Sequence, residues 1–169
     1  IVQEVDKLVA RAERKAGIPN GQVYIIPFIE TAKGIMNAYD VCSASPRIIA
    51  AAFGAEDLTV DMEIRRTAEG EEVLYARSAV AVAARAAGVL ALDTPYLDFR
   101  DHDGMQRDAE KGAKIGYKGK FAIHPSQLDF INQLYLPSVQ ELEYAQKVVE
   151  IFQEAEKQGS GATSLDGKV

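Results

Sequence analysis

Residues 23–34 read VYIIPFIETAKG. The run Val23–Ile29 is continuously apolar rather than alternating, which predicts a strand covered on both faces. A polar pair, Glu30-Thr31, follows it. From Thr31 to Ser43 the pattern turns helical, with Ile35, Met36, Ala38 and Tyr39 expected inside. The same strand-then-helix unit recurs along the chain. Ile48–Phe53, Val89–Leu92 and Lys120–Ile123 read as further apolar strands, and residues 71–87 and 101–115 as helices between them. Upstream, residues 1–16 form a helical pattern with Val2, Val5, Leu8, Val9 and Ala12 on one face. Downstream, Pro125 opens a helix reaching about Tyr135. Residues 138–157 form a long amphipathic helix whose inner face is Val139, Leu142, Ala145, Val149, Phe152 and Ala155. The stretch Gly159 to Ser164 reads as a linker.

Continuous strands alternating with helices predict a parallel sheet. Two architectures fit: a complete open sheet of four strands, or half of a (β/α)8 barrel, which as a whole needs about 250 residues. The composition of the 169 residues, 47% hydrophobic and 26% charged, is that of an ordinary globular chain. Acids outnumber bases 25 to 19, a net charge of −6, which argues against nucleic acid as a partner. The single cysteine, Cys42, excludes an internal disulfide and a multi-cysteine zinc site. The most apolar stretch, residues 73–92, is interrupted by Arg77 and Arg85, so its uncharged runs fall far short of the roughly 20 residues that span a bilayer. No leader pattern is visible, so a cytoplasmic location is expected. The first residue, Ile1, falls inside a helical pattern, so further sequence is expected upstream.

In either architecture ligands gather at the carboxyl ends of the parallel strands. The residues following the apolar runs are Glu30, then Ala55-Glu56-Asp57 after Gly54, then Asp93-Thr94, then His124-Pro125. Carboxylates on neighbouring strand ends suit Mg2+, which takes one or two protein carboxylates and completes its octahedron with water and substrate oxygens. Capping is the competing role for Glu30 and Asp57, and a loop or cap role for Asp93. His124 also reads as a packed strand-end residue, and Asp101-His102-Asp103 as helix-entry caps. Arg77 and Arg85 are expected on the outer or rim surface of their helix, solvated or ion-paired. Cys42 has no evident histidine partner, and a thiolate role is not expected of it. Gly159-Ser160-Gly161 lacks the strand-then-helix setting of a phosphate loop.

Six segments, in order, carry a family resemblance: PFIETAKG at 27–34, AAFGAEDLTVD at 51–61, YARSAVAVAARAAG at 75–88, ALDTPYLD at 91–98, GYKGKFAIHPSQLDFIN at 116–132 and LDGKV at 165–169. Together they resemble the CitE-like citrate lyase β-subunit family of the HpcH/HpaI aldolase superfamily, which includes malyl-CoA and citramalyl-CoA lyases. The resemblance implies a Mg2+-dependent (β/α)8 barrel, of which residues 1–158 are the C-terminal half, strands five to eight, and 159–169 the start of a C-terminal lid. It implies Glu30 and Asp57 as metal ligands, with these two, Ala55, Glu56, Ile123, His124 and Pro125 around the substrate. Asp166 is the candidate acid–base group. The implied activity is cleavage or formation of a carbon–carbon bond in a 3-hydroxy-acyl thioester (citryl, malyl or citramalyl), on CoA or an acyl carrier, with a 2-oxo acid as co-product. A thioesterase on the same scaffold and an inactive half-barrel are the alternatives. A homo-oligomer, trimer or hexamer, is implied, with other citrate lyase subunits as possible partners. The family's preceding four strands, with an arginine for the substrate carboxylate and basic residues for CoA phosphates, have no counterpart in these residues.

Overall fold

A computed structural model of the chain describes residues 1–157. Two compact units divide it, Ile1–Tyr135 and a second beginning at Leu136. In the first, the order is α1 (Val2–Lys15), β1 (Phe28–Ile29), α2 (Ala32–Met36), α3 (Ala38–Ser43), β2 (Ala50–Phe53), α4 (Ala55–Asp61), α5 (Leu74–Ala86), β3 (Leu90–Asp93), α6 (His102–Lys114), β4 (Gly119–Lys120) and α7 (Leu128–Tyr135). The second holds α8 (Val139–Lys157). Single 3-10 turns, Glu71–Val73 and Pro125–Gln127, lead into α5 and α7. None of the described helices is long and apolar enough to cross a membrane.

The four strands lie side by side in sequence order, all parallel. Their carboxyl ends therefore share one edge. The register places Ile29, Ala51, Phe53, Ala91, Asp93 and Lys120 on one face, and all six are buried. That face meets α2, α3 and α5 in an apolar core with Ile35, Cys42, Leu58, Val80 and Ala84. The opposite face carries Phe28, Ala50, Ala52, Leu90, Leu92 and Gly119, and there Phe28 and Leu90 stay about half exposed, at 49% and 53%.

The sheet is strongly curled. β1 and β4 are its outer strands, and three spacings of a flat sheet would hold them roughly 14 Å apart. Yet the rings of Phe28, on β1, and Phe121, two residues beyond Gly119, pack with centroids 5.0 Å apart. Between them the same face carries Ala52 on β2 and Leu92 on β3, in register with Phe28 and Gly119.

Several local expectations are corrected. The strand expected over 23–29 pairs regularly only at Phe28–Ile29, with one isolated bridge from Ile25 to Ile48. Pro27, between them, has no N–H to donate. The helix expected over 31–43 breaks at Asn37, whose side-chain amide donates to the Lys33 carbonyl at 2.7 Å and competes with the backbone ladder. Ile35, Ala38 and Cys42 face the core, while Met36 and Tyr39 are exposed. On α1 the buried residue is Glu13 rather than the apolar stripe. On α8 no residue is buried, so the stripe expected inside is unburied. Helix α4 escapes a periodicity search, being one short stretch between strand end and polar loop.

Candidate metal centre

The carboxyl edge of the sheet assembles the first candidate pair. Glu30 follows β1 directly, and Asp57 sits in the first turn of α4, which follows β2. Neither is a cap. Thr31 caps α2, its hydroxyl accepting from the Gly34 amide at 3.0 Å, and Gly54 stands at the α4 N-cap. The two carboxyls, 27 residues apart in sequence, lie side by side. Burial, then the Asp57 charge and a shared hydrogen bond, push the Glu30 carboxyl above its ordinary value near 4.5. Gly54 makes this approach possible. A Cβ there would stand 2.6 Å from the Glu30 Cβ and 2.7 Å from its Oε2. None of the ion pairs among the described residues involves Glu30 or Asp57. Two like charges held together without a protein cation fit a hard divalent cation, which the donor set also suits. No cluster of three or more His, Cys, Asp or Glu side chains placed to hold a metal ion occurs among the described residues.

The neighbouring candidates are placed differently. The Glu56 side chain turns to Arg66, 3.2 Å away, and Arg66 also binds Glu72 at 2.7 Å. Ala55 is buried, and its amide donates to the Thr94 hydroxyl at 3.3 Å. Ile123, His124 and Pro125 are exposed beyond β4. There the His124 ring nitrogen accepts from the Ser126 amide at 3.2 Å and the ring stacks on Phe99 at 4.4 Å. Buried Gln127 ties this turn down, accepting from the Ile123 amide at 2.9 Å and donating to the Tyr96 carbonyl at 2.8 Å. Asp101 caps α6, accepting from the Gly104 amide at 2.9 Å. Asp166 lies outside the described residues.

Beneath the carboxyl edge lies a cluster that pattern reading missed. Arg77, expected at the surface, and Asp93, expected in a loop or cap, are both buried. The Arg77 guanidinium donates to Asp93 through Nε at 2.8 Å and through Nη2, and to Asp108 through Nη1 at 2.9 Å. Lys120 donates to Asp93 at 3.0 Å, to Asp108 at 2.5 Å and to the Thr94 carbonyl at 2.7 Å. Burial opposes the Asp108 charge, but Lys120 and Arg77 outweigh it and hold its carboxyl below the ordinary range. Gly112 leaves room, since a Cβ there would lie 2.5 Å from Asp93 Oδ2. At the opposite end of the strands, Arg47 binds Glu13 through two bonds of 2.8 and 2.7 Å and Asp6 at 2.6 Å. The Arg47 bond, aided by the Val23 and Gly21 amides, outweighs burial and holds the Glu13 carboxyl at about 2. The signal for such burial in the sequence was a charge joined to an apolar run, as in Asp93 ending LALD and Lys120 opening KFAI.

A parallel α/β sheet with paired carboxylates at its strand ends defines a class of ligand-binding α/β proteins. The chain belongs to the HpcH/HpaI aldolase/citrate lyase family, whose pattern it matches over residues 1–125. The citrate lyase subunit beta of Leuconostoc mesenteroides subsp. cremoris is 37% identical over 169 residues, covering all of this chain and 56% of the relative. The mitochondrial citramalyl-CoA lyase of Homo sapiens is 33% identical over 153 residues, covering 86% of this chain and 45% of the relative. The fold matches the crystal structure of CitE from Mycobacterium tuberculosis in complex with magnesium, acetoacetate and coenzyme A, with a TM-score of 0.67 at 33% identity over 86% of this chain and 54% of that one. It also matches the citrate lyase beta subunit of the same organism complexed with oxaloacetate and magnesium, with a TM-score of 0.61 at 34% identity over 68% and 53% of the two chains. The chain thus spans about half the length of the relatives it matches.

Proposed function

We propose that this chain is the metal-holding part of a Mg2+-dependent carbon–carbon lyase acting on a 3-hydroxy-acyl thioester. The observation that carries the reading is the pairing of Glu30 and Asp57 at adjacent strand ends with no protein cation beside them. The magnesium complexes of the M. tuberculosis proteins support it, as do the lyase names of the relatives. The curled four-stranded sheet, with Phe28 and Leu90 half exposed on its inner face, supports residues 1–158 as strands five to eight of a (β/α)8 barrel. Residues 159–169 would then be a linker and the start of a C-terminal lid, with Asp166 as acid–base group.

Glu30 and Asp57 would hold the ion, and bound there it supplies Lewis acidity and a template for the oxygens of the 2-oxo acid. The chain's own residues set the conditions. Ala55 and Glu56, at the start of α4, form the wall beside the pair, and Gly54 keeps that wall close. The Ile123–Pro125 turn, fixed by Gln127, lies on the same edge, where the thioester portion would extend. In the cleavage direction the acid–base group takes the substrate's hydroxyl proton, the carbonyl of the 2-oxo acid forms as the carbon–carbon bond breaks, the bond's electrons pass to the thioester as an enolate, and the same group returns the proton to the enolate carbon. CoA and an acyl carrier both fit this chemistry as thioester carriers, and a trimeric or hexameric assembly accompanies the proposal.

The test is a Mg2+ titration by calorimetry of the full-length protein. Glu30→Ala and Asp57→Ala are each expected to weaken binding by roughly a hundredfold, about 2.7 kcal/mol. Unchanged affinity in both would sink the assignment. Product identity decides the reaction: a 2-oxo acid marks a lyase, a free hydroxy acid a thioesterase.

A further inference from the structure

We infer that Thr94 is a positioning residue for Asp57, acting as a cap supplied from a neighbouring strand. This rests on the metal-site reading above. A helix start leaves amides without partners, and the N-cap side chain ordinarily satisfies one. At α4 that position is Gly54, which has no side chain to offer. It cannot carry one, because the Glu30 carboxylate occupies the space a Cβ would need. The close approach that pairs Glu30 with Asp57 therefore removes the local cap from the helix bearing Asp57.

Thr94 replaces it. Its hydroxyl accepts from the Ala55 amide, the first of α4, at 3.3 Å, and Thr94 itself is 1% exposed. A buried amide with no acceptor would be costly, so the start of α4 is fixed to the end of β3. Thr94 is held in turn. Its carbonyl accepts from Lys120 Nζ at 2.7 Å, and its neighbour Asp93 is bound by Arg77 and Lys120. The rigid ion cluster is thus linked through one residue to the helix turn two positions before Asp57.

The test compares Thr94→Val, which keeps the shape and removes the acceptor, with Thr94→Ser, which keeps the oxygen. Three measurements are made on the full-length chain: Mg2+ affinity well below the unfolding temperature, thermal unfolding, and exchange of the Ala55 amide by NMR. The expected result for Thr94→Val is a loss of about 10- to 100-fold in Mg2+ affinity, the range for removing a residue that orients a metal ligand. Faster Ala55 exchange in the metal-free protein accompanies it, and Thr94→Ser restores both. A purely structural role would lower the unfolding temperature and leave the affinity of the folded protein unchanged, which overturns the inference. Equal impairment in the serine variant also overturns it, since packing of the methyl group would then be responsible. If Glu30→Ala and Asp57→Ala leave Mg2+ binding intact, the metal-site reading falls and the inference with it. If they abolish binding and Thr94→Val does not, only the inference falls.

Discussion

Two pairs of acids sit at the carboxyl side of the same sheet and meet opposite fates. Asp93 and Asp108 are buried between Arg77 and Lys120, two anions against two cations, every oxygen engaged. Glu30 and Asp57 are adjacent, less buried, and without a described cation partner. Burial and charge act on both, but with opposite results. The Asp108 carboxyl is held below its ordinary range and the Glu30 carboxyl is pushed above. The lesson is that closure by protein cations makes an acid pair part of the framework. An acid pair left open reserves its charge for something the chain does not supply.

The contrast has its largest expected consequence at the closed pair. Asp93→Ala leaves Arg77 and Lys120 buried with too little negative charge, and should destabilise the fold by about 3–5 kcal/mol in urea unfolding. A loss below 1 kcal/mol would show that the cluster is not a framework element. At the open pair the sign reverses. Glu30 holds its proton more tightly folded than unfolded, so its contribution to metal-free stability is full below the unfolded value near 4.5 and is lost as pH rises through the higher folded value. Glu30→Gln lacks this dependence. Its stability relative to wild type should therefore grow as pH rises above about 4.5, and saturating Mg2+ should reverse the order. Parallel curves for the two proteins would break the comparison. Glu13 offers the mirror case. Held at about 2 chiefly by Arg47, it contributes stability that is lost as pH falls below the usual carboxylate range. The smallest effect is expected at Glu56, which is bonded to Arg66 at the surface. Glu56→Gln should cost under about 1 kcal/mol of stability. It should also leave Mg2+ affinity within about twofold of wild type by calorimetry. A tenfold loss would enlarge the metal site beyond the open pair.

Much of this was legible in the chain itself. Continuous apolar runs such as residues 48–53 announced parallel strands, the rule that ligands collect at their carboxyl ends narrowed the site to Glu30, Glu56, Asp57, Asp93 and His124, and the family resemblance singled out Glu30 and Asp57 among them. The ends of helices followed from local chemistry, as at Asp101 and at Ser138, whose hydroxyl accepts from the Glu141 amide at 3.1 Å. What was not legible depended on partners distant in sequence. Arg77 has the spacing of a surface residue on an alanine-rich helix. Its burial depends on Asp93 and Asp108, 16 and 31 residues away. The stripe on α8 has the period of a core face, yet period records amphipathicity and not whether a partner covers it.

The sequence by itself determined the alternation of apolar strands with helices, the parallel sheet and the short set of polar residues at the strand ends, because these rest on periodicity and strand-end position. Only the tertiary structure decided which acids are closed by cations and which are left open. It also decided that the sheet curls until Phe28 meets Phe121, and that a threonine just beyond one strand caps the helix after another. Those outcomes are set by distances between residues far apart in the chain, which local pattern does not encode.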